Sequence, residues 1–163
     1  MRLIFAPDPE QNTSGKTVLI QDANGKTKWV VGITGESRVT VITIEGKHEA
    51  SASIALHRGI FSTKAEFTTL SGDRIKVRRQ RSKLPVFEGN DWAVKGKSYP
   101  EEFYIDAGYG KIATVHVPVS GRTDTTKKKI GLDPQRFIDT TIDCSLTAIP
   151  MDVVCAVLSI LAL

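Results

Sequence analysis

Pro150 to Leu163 reads PMDVVCAVLSILAL, and wound as a helix it is apolar around nearly its whole circumference. A helix with one polar face lies on a surface, whereas a helix without one has to be enclosed by protein or by lipid. Crossing a bilayer takes about 20 apolar residues, and the stretch from Val153 onward falls short of that. The pattern therefore predicts a helix buried in a core. Pro150 suits a first turn, where its missing N–H is not needed, and Asp152 puts a negative charge where the helix dipole favours one.

Upstream, one grammar recurs: a run of alternating or β-branched residues, a Gly-bearing polar turn, then a second such run. Thr17 to Gln21 and Lys28 to Ile33 flank Asp22-Ala23-Asn24-Gly25-Lys26. Asn-Gly between apolar runs is a strong hairpin signal because both residues tolerate positive φ. Arg38 to Ile44 and Ala50 to Leu56 flank Glu45-Gly46-Lys47, and Lys64 to Leu70 and Arg74 to Arg78 flank Ser71-Gly72-Asp73. Phe103 to Asp106 and Lys111 to Val117 flank Ala107-Gly108-Tyr109-Gly110. Trp92 to Lys97 and Phe137 to Ile142 read as further strands, and Val119 to Pro134 as a long polar loop. No amphipathic helix separates the strands, as βαβ units require. The expected fold is mainly β, an antiparallel barrel closed around its own C-terminal helix.

A chain of 163 residues suits a single domain over 1–163, and at this size about 70% of the unfolded surface is buried on folding. Hydrophobic residues at 40% and charged residues at 25% exclude wholesale disorder. The formal charge of +4 permits attraction to phosphates without choosing between lipid and nucleic acid. If Cys144 and Cys155 shared one helix they would stand about 16 Å apart, far beyond the ~5.5 Å of a disulfide. A reversal at Ile149-Pro150 leaves pairing open, but two buried free thiols are the expectation, and nothing demands an oxidising compartment. The apolar run at Met1 to Pro7 is too short for a secretory signal. A cytoplasmic protein, peripheral at most to a membrane, is expected.

Taken together, the Gly-Lys turns of Asp22 to Val31 and Glu45 to Ile54, the Trp92 to Gly96 segment, the Tyr104 to Val115 strand pair and the apolar segment Asp152 to Leu163 resemble the LURP-one-related proteins of the tubby C-terminal-like superfamily. The order of hairpins followed by a final apolar helix is the specific part of that resemblance, which extends over nearly the whole chain. It implies a closed barrel of roughly twelve antiparallel strands around the helix, closure being one way to remove exposed edges. It also implies a binding role, since tubby domains bind phosphoinositides and the related scramblases act at membranes.

Candidate chemistry is sparse. Thr13-Ser14-Gly15-Lys16-Thr17 ends like a phosphate-binding loop, but Glu10 stands where that loop has glycine, and a strand rather than a helix is expected to follow. Gly108-Tyr109-Gly110 is accounted for by turn chemistry. His48, His57 and His116 are scattered without carboxylate or cysteine at metal-ligand spacing, so no metal and no cofactor is expected. A thiol–imidazole pair of His116 and Cys144 would need the fold to bring them together, and Cys144 has no local signature for it. Asp139, Asp143 and Asp152 are explained by hydrogen bonding at strand ends and the helix start.

Two basic clusters remain: Lys76, Arg78, Arg79, Arg81 and Lys83 in one, Lys127, Lys128 and Lys129 in the other. On a strand, alternation sends Lys76 and Arg78 to one face and Val77, Arg79 and Arg81 to the other. Each basic side chain near an anionic membrane is worth about 1 kcal/mol. No aromatic residues interleave with the lysines, so a specific nucleic-acid partner is not expected. The sequence thus leads to a noncatalytic binding module for anionic lipid or a membrane surface. The alternative is a protein-interaction scaffold using Val119 to Pro134. An enzyme ranks last, because a helix filling the barrel leaves little room for substrate. A monomer is expected.

Overall fold

A computed structural model describes residues 1–10, 16–35, 37–43, 51–59, 62–79, 84–118 and 133–163, without the side chains of 40–43 and 51. Twelve strands run through the described residues: β1 (Arg2–Pro7), β2 (Thr17–Asp22), β3 (Thr27–Thr34), β4 (Arg38–Thr43), β5 (Ser51–Arg58) and β6 (Thr63–Thr68), then β7 (Arg74–Arg78), β8 (Val86–Glu88), β9 (Ala93–Lys95), β10 (Glu102–Asp106), β11 (Lys111–His116) and β12 (Thr141–Cys144). The helix α1 (Pro150–Ala162) follows. The strands form one sheet in the order β8-β7-β6-β5-β4-β3-β2-β1-β12-β11-β10-β9. Every pairing is antiparallel.

Only one pairing, β1 with β12, is non-consecutive, and it joins the two arms of the meander into a nearly closed barrel. The sheet edges are β8 and β9, which follow each other directly in the chain. Phe87 on β8 and Trp92 just before β9 stack edge to face across this gap, with ring centroids 5.7 Å apart. The turn leaving β8 needs Gly89: its φ is +106°, and a Cβ there would lie 2.3 Å from the Arg74 carbonyl oxygen. Side chains cannot follow that path.

Alternation along the strands sends one face inward. Leu3 and Phe5, Val18 and Ile20, Ile54 and Leu56, Ile75 and Val77, Phe103 and Ile105 are all buried. Such an inner face has to be covered. The cover is α1, buried at every residue from Met151 to Ala162. Strand and helix side chains form a single apolar core. The one polar side chain in the middle of the helix, Ser159, donates to the Cys155 carbonyl at 2.7 Å and so remains satisfied inside.

The hairpins read from the sequence are present, with instructive differences. Around Asn24-Gly25 only Gly25 has positive φ. The turn is held instead by Asp22, whose carboxylate accepts from the Asn24 and Lys26 amides at 2.9 and 3.0 Å. Phe137 to Ile142 is mostly not a strand. A 3-10 turn at Pro134–Arg136 and a bend with Asp139 at φ 64° precede β12, which begins at Thr141. Pro134 and the Asp133 side chain, which accepts from the Gln135 amide, favour that turn locally. The strands β1 and β8 carried no hairpin signature. The turn at 45–47 and nearly all of the long loop lie outside the described residues.

Leu158→Ala is expected to lower the unfolding free energy by about 2–5 kcal/mol, read from the urea midpoint at unchanged slope. Gly89→Ala is expected to cost more than about 1 kcal/mol through its backbone alone.

Candidate functional site

The outward face of the β5-β6-β7 sheet follows from the same alternation that fills the core. Register places His57 opposite Lys64, and Lys64 opposite Arg78, so three basic side chains form one rung across three strands. The next rung runs Ala55, Glu66, Lys76, Glu88, and beyond it Thr68 faces Arg74. Directly opposed side chains on one sheet face stand about 5 Å apart, and like charges there oppose folding. Arg74 is paired with Glu66 at 2.9 Å and Arg78 with Glu88 at 3.0 Å. Lys64 and Lys76 make no ion pair among the described residues. The Arg78 Nε is buried without a hydrogen-bond partner. The face therefore holds cations in excess of what its carboxylates answer, and what it can do chemically is receive anions.

Of the basic residues singled out in the sequence, Lys76 and Arg78 lie on this face. Arg79 does not. It has the inward parity of Ile75 and Val77, emerges at the end of the barrel, and donates from Nη1 to the Leu163 carbonyl at 3.3 Å. Arg136 donates to the Ala162 carbonyl at 3.2 Å. Both arginines thus meet the last carbonyls of α1, where the helix dipole is negative. Arg81, Lys83, Lys127, Lys128 and Lys129 lie outside the described residues. Sequence reasoning missed His57 and Lys64. The signal was available in the hairpin: a turn closed between Thr68 and Arg74 fixes Lys64 opposite Arg78 by counting.

At the other end of the helix, the buried Asp152 carboxylate accepts from the Leu70 amide at 3.0 Å. This ties the β6–β7 turn to the first turn of α1. Burial raises the Asp152 pKa above the ordinary carboxylate value; the Leu70 N–H works against that rise and the Asp73 charge adds to it. Asp143, by contrast, is held below the ordinary value, first by its hydrogen bond from Arg2, at 2.9 Å on the barrel wall.

Both cysteines are free and buried. Loss of hydration pushes the Cys144 thiol up to about 11 and the Cys155 thiol up to about 12, so neither is a ready nucleophile. His116 is exposed on the outer face, where its Nδ1 lies 3.6 Å from Glu102, while Cys144 is buried. Register pairs His116 with Thr141, not with Cys144. The thiol–imidazole pair is not formed. Lys16 leads directly into the strand β2 and not into a helix, while Thr13 to Gly15 lie outside the described residues. Among the described residues no three His, Cys, Asp or Glu side chains converge as a metal site. A pocket of about 300 Å³ lies outside β10 and β11, bordered by Lys97, Ser98, Glu102, Tyr104 and Lys111. It gathers none of the basic residues named from the sequence, and the Lys111 ammonium already sits 4.4 Å over the Tyr104 ring.

Compared with known proteins, the chain matches no family model, no curated protein and no solved structure.

The raised Asp152 pKa fixes the sign of a pH effect. The folded chain holds this proton to higher pH than the unfolded chain, so the group destabilises the fold increasingly as pH rises through its folded pKa, and not below the unfolded value. Asp152→Asn keeps an acceptor for Leu70. It is expected to melt above the wild type at pH 7, with the gap closing as the pH falls below the ordinary carboxylate range. Asp152→Ala leaves the Leu70 N–H without its acceptor and is expected to cost roughly 1–3 kcal/mol at low pH, and less at pH 7, where it also removes the destabilising charge. Thermal unfolding of both variants across pH measures the pair.

Proposed function

We propose that the chain is a noncatalytic binding module of the LURP-one-related, tubby C-terminal-like kind, which recognises anionic phospholipid headgroups through the outer face of β5, β6 and β7. The observation that carries this reading is Lys64 placed opposite Arg78 on the outer face, with His57 on its other side in the same rung. Folding alone does not favour that arrangement, and an anionic surface does. The architecture supports the family assignment through its antiparallel meander wound about an apolar C-terminal helix. It also supports binding from outside, since the barrel interior is occupied by α1. Among the described residues no helix is long and apolar enough to cross a membrane, which fits peripheral attachment.

Cosedimentation with phosphatidylcholine vesicles, with and without phosphatidylserine, tests the reading. Added anionic lipid is expected to increase pelleting, less so at high salt. Lys64→Glu with Lys76→Glu is expected to remove that increment, about 1 kcal/mol being at stake per cation deleted. Arg79→Ala, which frees a helix carbonyl instead, should lower the melting temperature and leave the lipid increment in place. Equal pelleting of wild type and double variant on anionic vesicles would overturn the proposal.

A further inference from the structure

The basic rung on the outer face contains one side chain whose charge is not fixed. Lysine and arginine stay cationic far above neutral pH, whereas histidine is the side chain whose charge ordinarily changes between pH 5 and 8. Of the three histidines in the chain, His48 lies outside the described residues, and the other two keep opposite company. His116 has its Nδ1 3.6 Å from the Glu102 carboxylate, so a proton gained there meets a negative charge. His57 is exposed and stands directly opposite Lys64, with Arg78 beyond Lys64 on the same rung. Among the described residues no hydrogen bond or ion pair holds the His57 side chain.

The groups that face His57 decide what a proton on it does. From β6 come Lys64, directly opposite, and Glu66 one rung away, whose carboxylate is taken by Arg74 at 2.9 Å. From β4 comes Arg38, opposite Ala55 on that neighbouring rung, while Glu36 in the β3–β4 connection lies outside the described residues. On β5 itself the next residue is Arg58, which pairs with Thr63 and by alternation belongs to the other face. A charge on His57 works against Lys64, since like charges directly opposed on a sheet face are unfavourable. An anionic surface laid over the rung reverses that sign, because each cation it receives, His57 included, adds attraction. Protonation and binding therefore favour each other, and linkage makes the effect run both ways.

We propose that His57 makes the β5–β7 face a proton-dependent lipid-binding surface, one that holds anionic headgroups more tightly as pH falls from about 7.5 to about 5.5. The inference rests on the anionic-lipid reading above and adds its regulation.

The test is cosedimentation of the full chain with vesicles of phosphatidylcholine and phosphatidylglycerol, whose headgroup charges stay constant over that range, at several pH values and one ionic strength. Wild-type binding is expected to tighten about fivefold from the highest pH to the lowest, the factor that one further cation supplies near such a surface. His57→Gln should bind at every pH as the wild type does at the highest. His57→Lys should bind at every pH as the wild type does at the lowest, a gain that a merely structural role for the imidazole would not produce. His116→Gln and His48→Gln should each keep the wild-type response. Thermal unfolding of each variant checks that it is folded, which the exposure of His57 leads one to expect. Wild-type binding to these vesicles that does not change with pH, or a response that survives in His57→Gln or disappears in His116→Gln or His48→Gln, overturns the inference and leaves the lipid reading standing. A wild type that binds them no better than pure phosphatidylcholine at any of these pH values overturns both.

Discussion

Enclosing α1 is the constraint on which everything else depends. A helix apolar on all sides cannot rest on a flat sheet without leaving half its surface in water, so the sheet has to curl until its inner face surrounds the helix. The barrel in turn needs the helix. Its inward residues, from Leu3 round to Ile142, are apolar on every strand with described side chains, and without a central element they would line a void. Neither part buries its apolar surface alone. The ends of the helix bring a second requirement, since its terminal backbone groups sit at the mouths of the barrel. Arg79 and Arg136 meet the final carbonyls, and Asp152 anchors the first turn to the Leu70 amide. The helix is therefore fixed along its axis as well as across it.

Because the interior is fully used for folding, residues that serve something else are found outside. The outer face of a strand is free to carry arrangements that packing does not ask for, and the His57, Lys64, Arg78 rung is one. Elsewhere on the wall, ion pairs form between outward charges: Arg2 with Asp143 and Lys95 with Asp106. These exposed pairs add little to stability individually. Lys64 sits on the same kind of surface, opposite His57 and Arg78, and makes no ion pair among the described residues.

What could be read from the sequence was whatever depends on local pattern. Strand alternation, glycine turns and a helix with no polar side announced the hairpins and the buried element, and from them the enclosure. What could not be read depends on partners far away in the chain. Nothing local marks β1 as a strand, because its pairing with β12 joins Arg2 to Asp143 across almost the whole sequence. The Phe137 to Ile142 stretch has strand-like composition, yet Asp133 and Pro134 start a turn that delays the strand to Thr141. Arg79 looked like its basic neighbours and differs from them by parity alone. Parity was legible; that the inward direction ended at a helix carbonyl was not. The Lys64 to Arg78 opposition was countable from the turn, but it becomes meaningful only once β5 adds His57 on the third strand.

The β6–β7 hairpin brings these threads together. Its turn holds the start of α1 through Leu70, its inward side chains Phe67, Ile75 and Val77 pack in the core, and Arg79 just beyond it holds the end of α1. Lys64, Lys76 and Arg78 project from the other side of the same two strands. A hairpin pinned to one rigid helix at both ends cannot shift its register or splay its strands without breaking buried contacts. The spacing of the basic side chains is therefore set by the core and not by whatever approaches them. A binding surface fixed before contact loses little conformational freedom when its partner arrives. On the binding role proposed above, that is what lets a few cations on a sheet act without a cavity around them. The helix, on the other side of the sheet, therefore governs the geometry of the basic face.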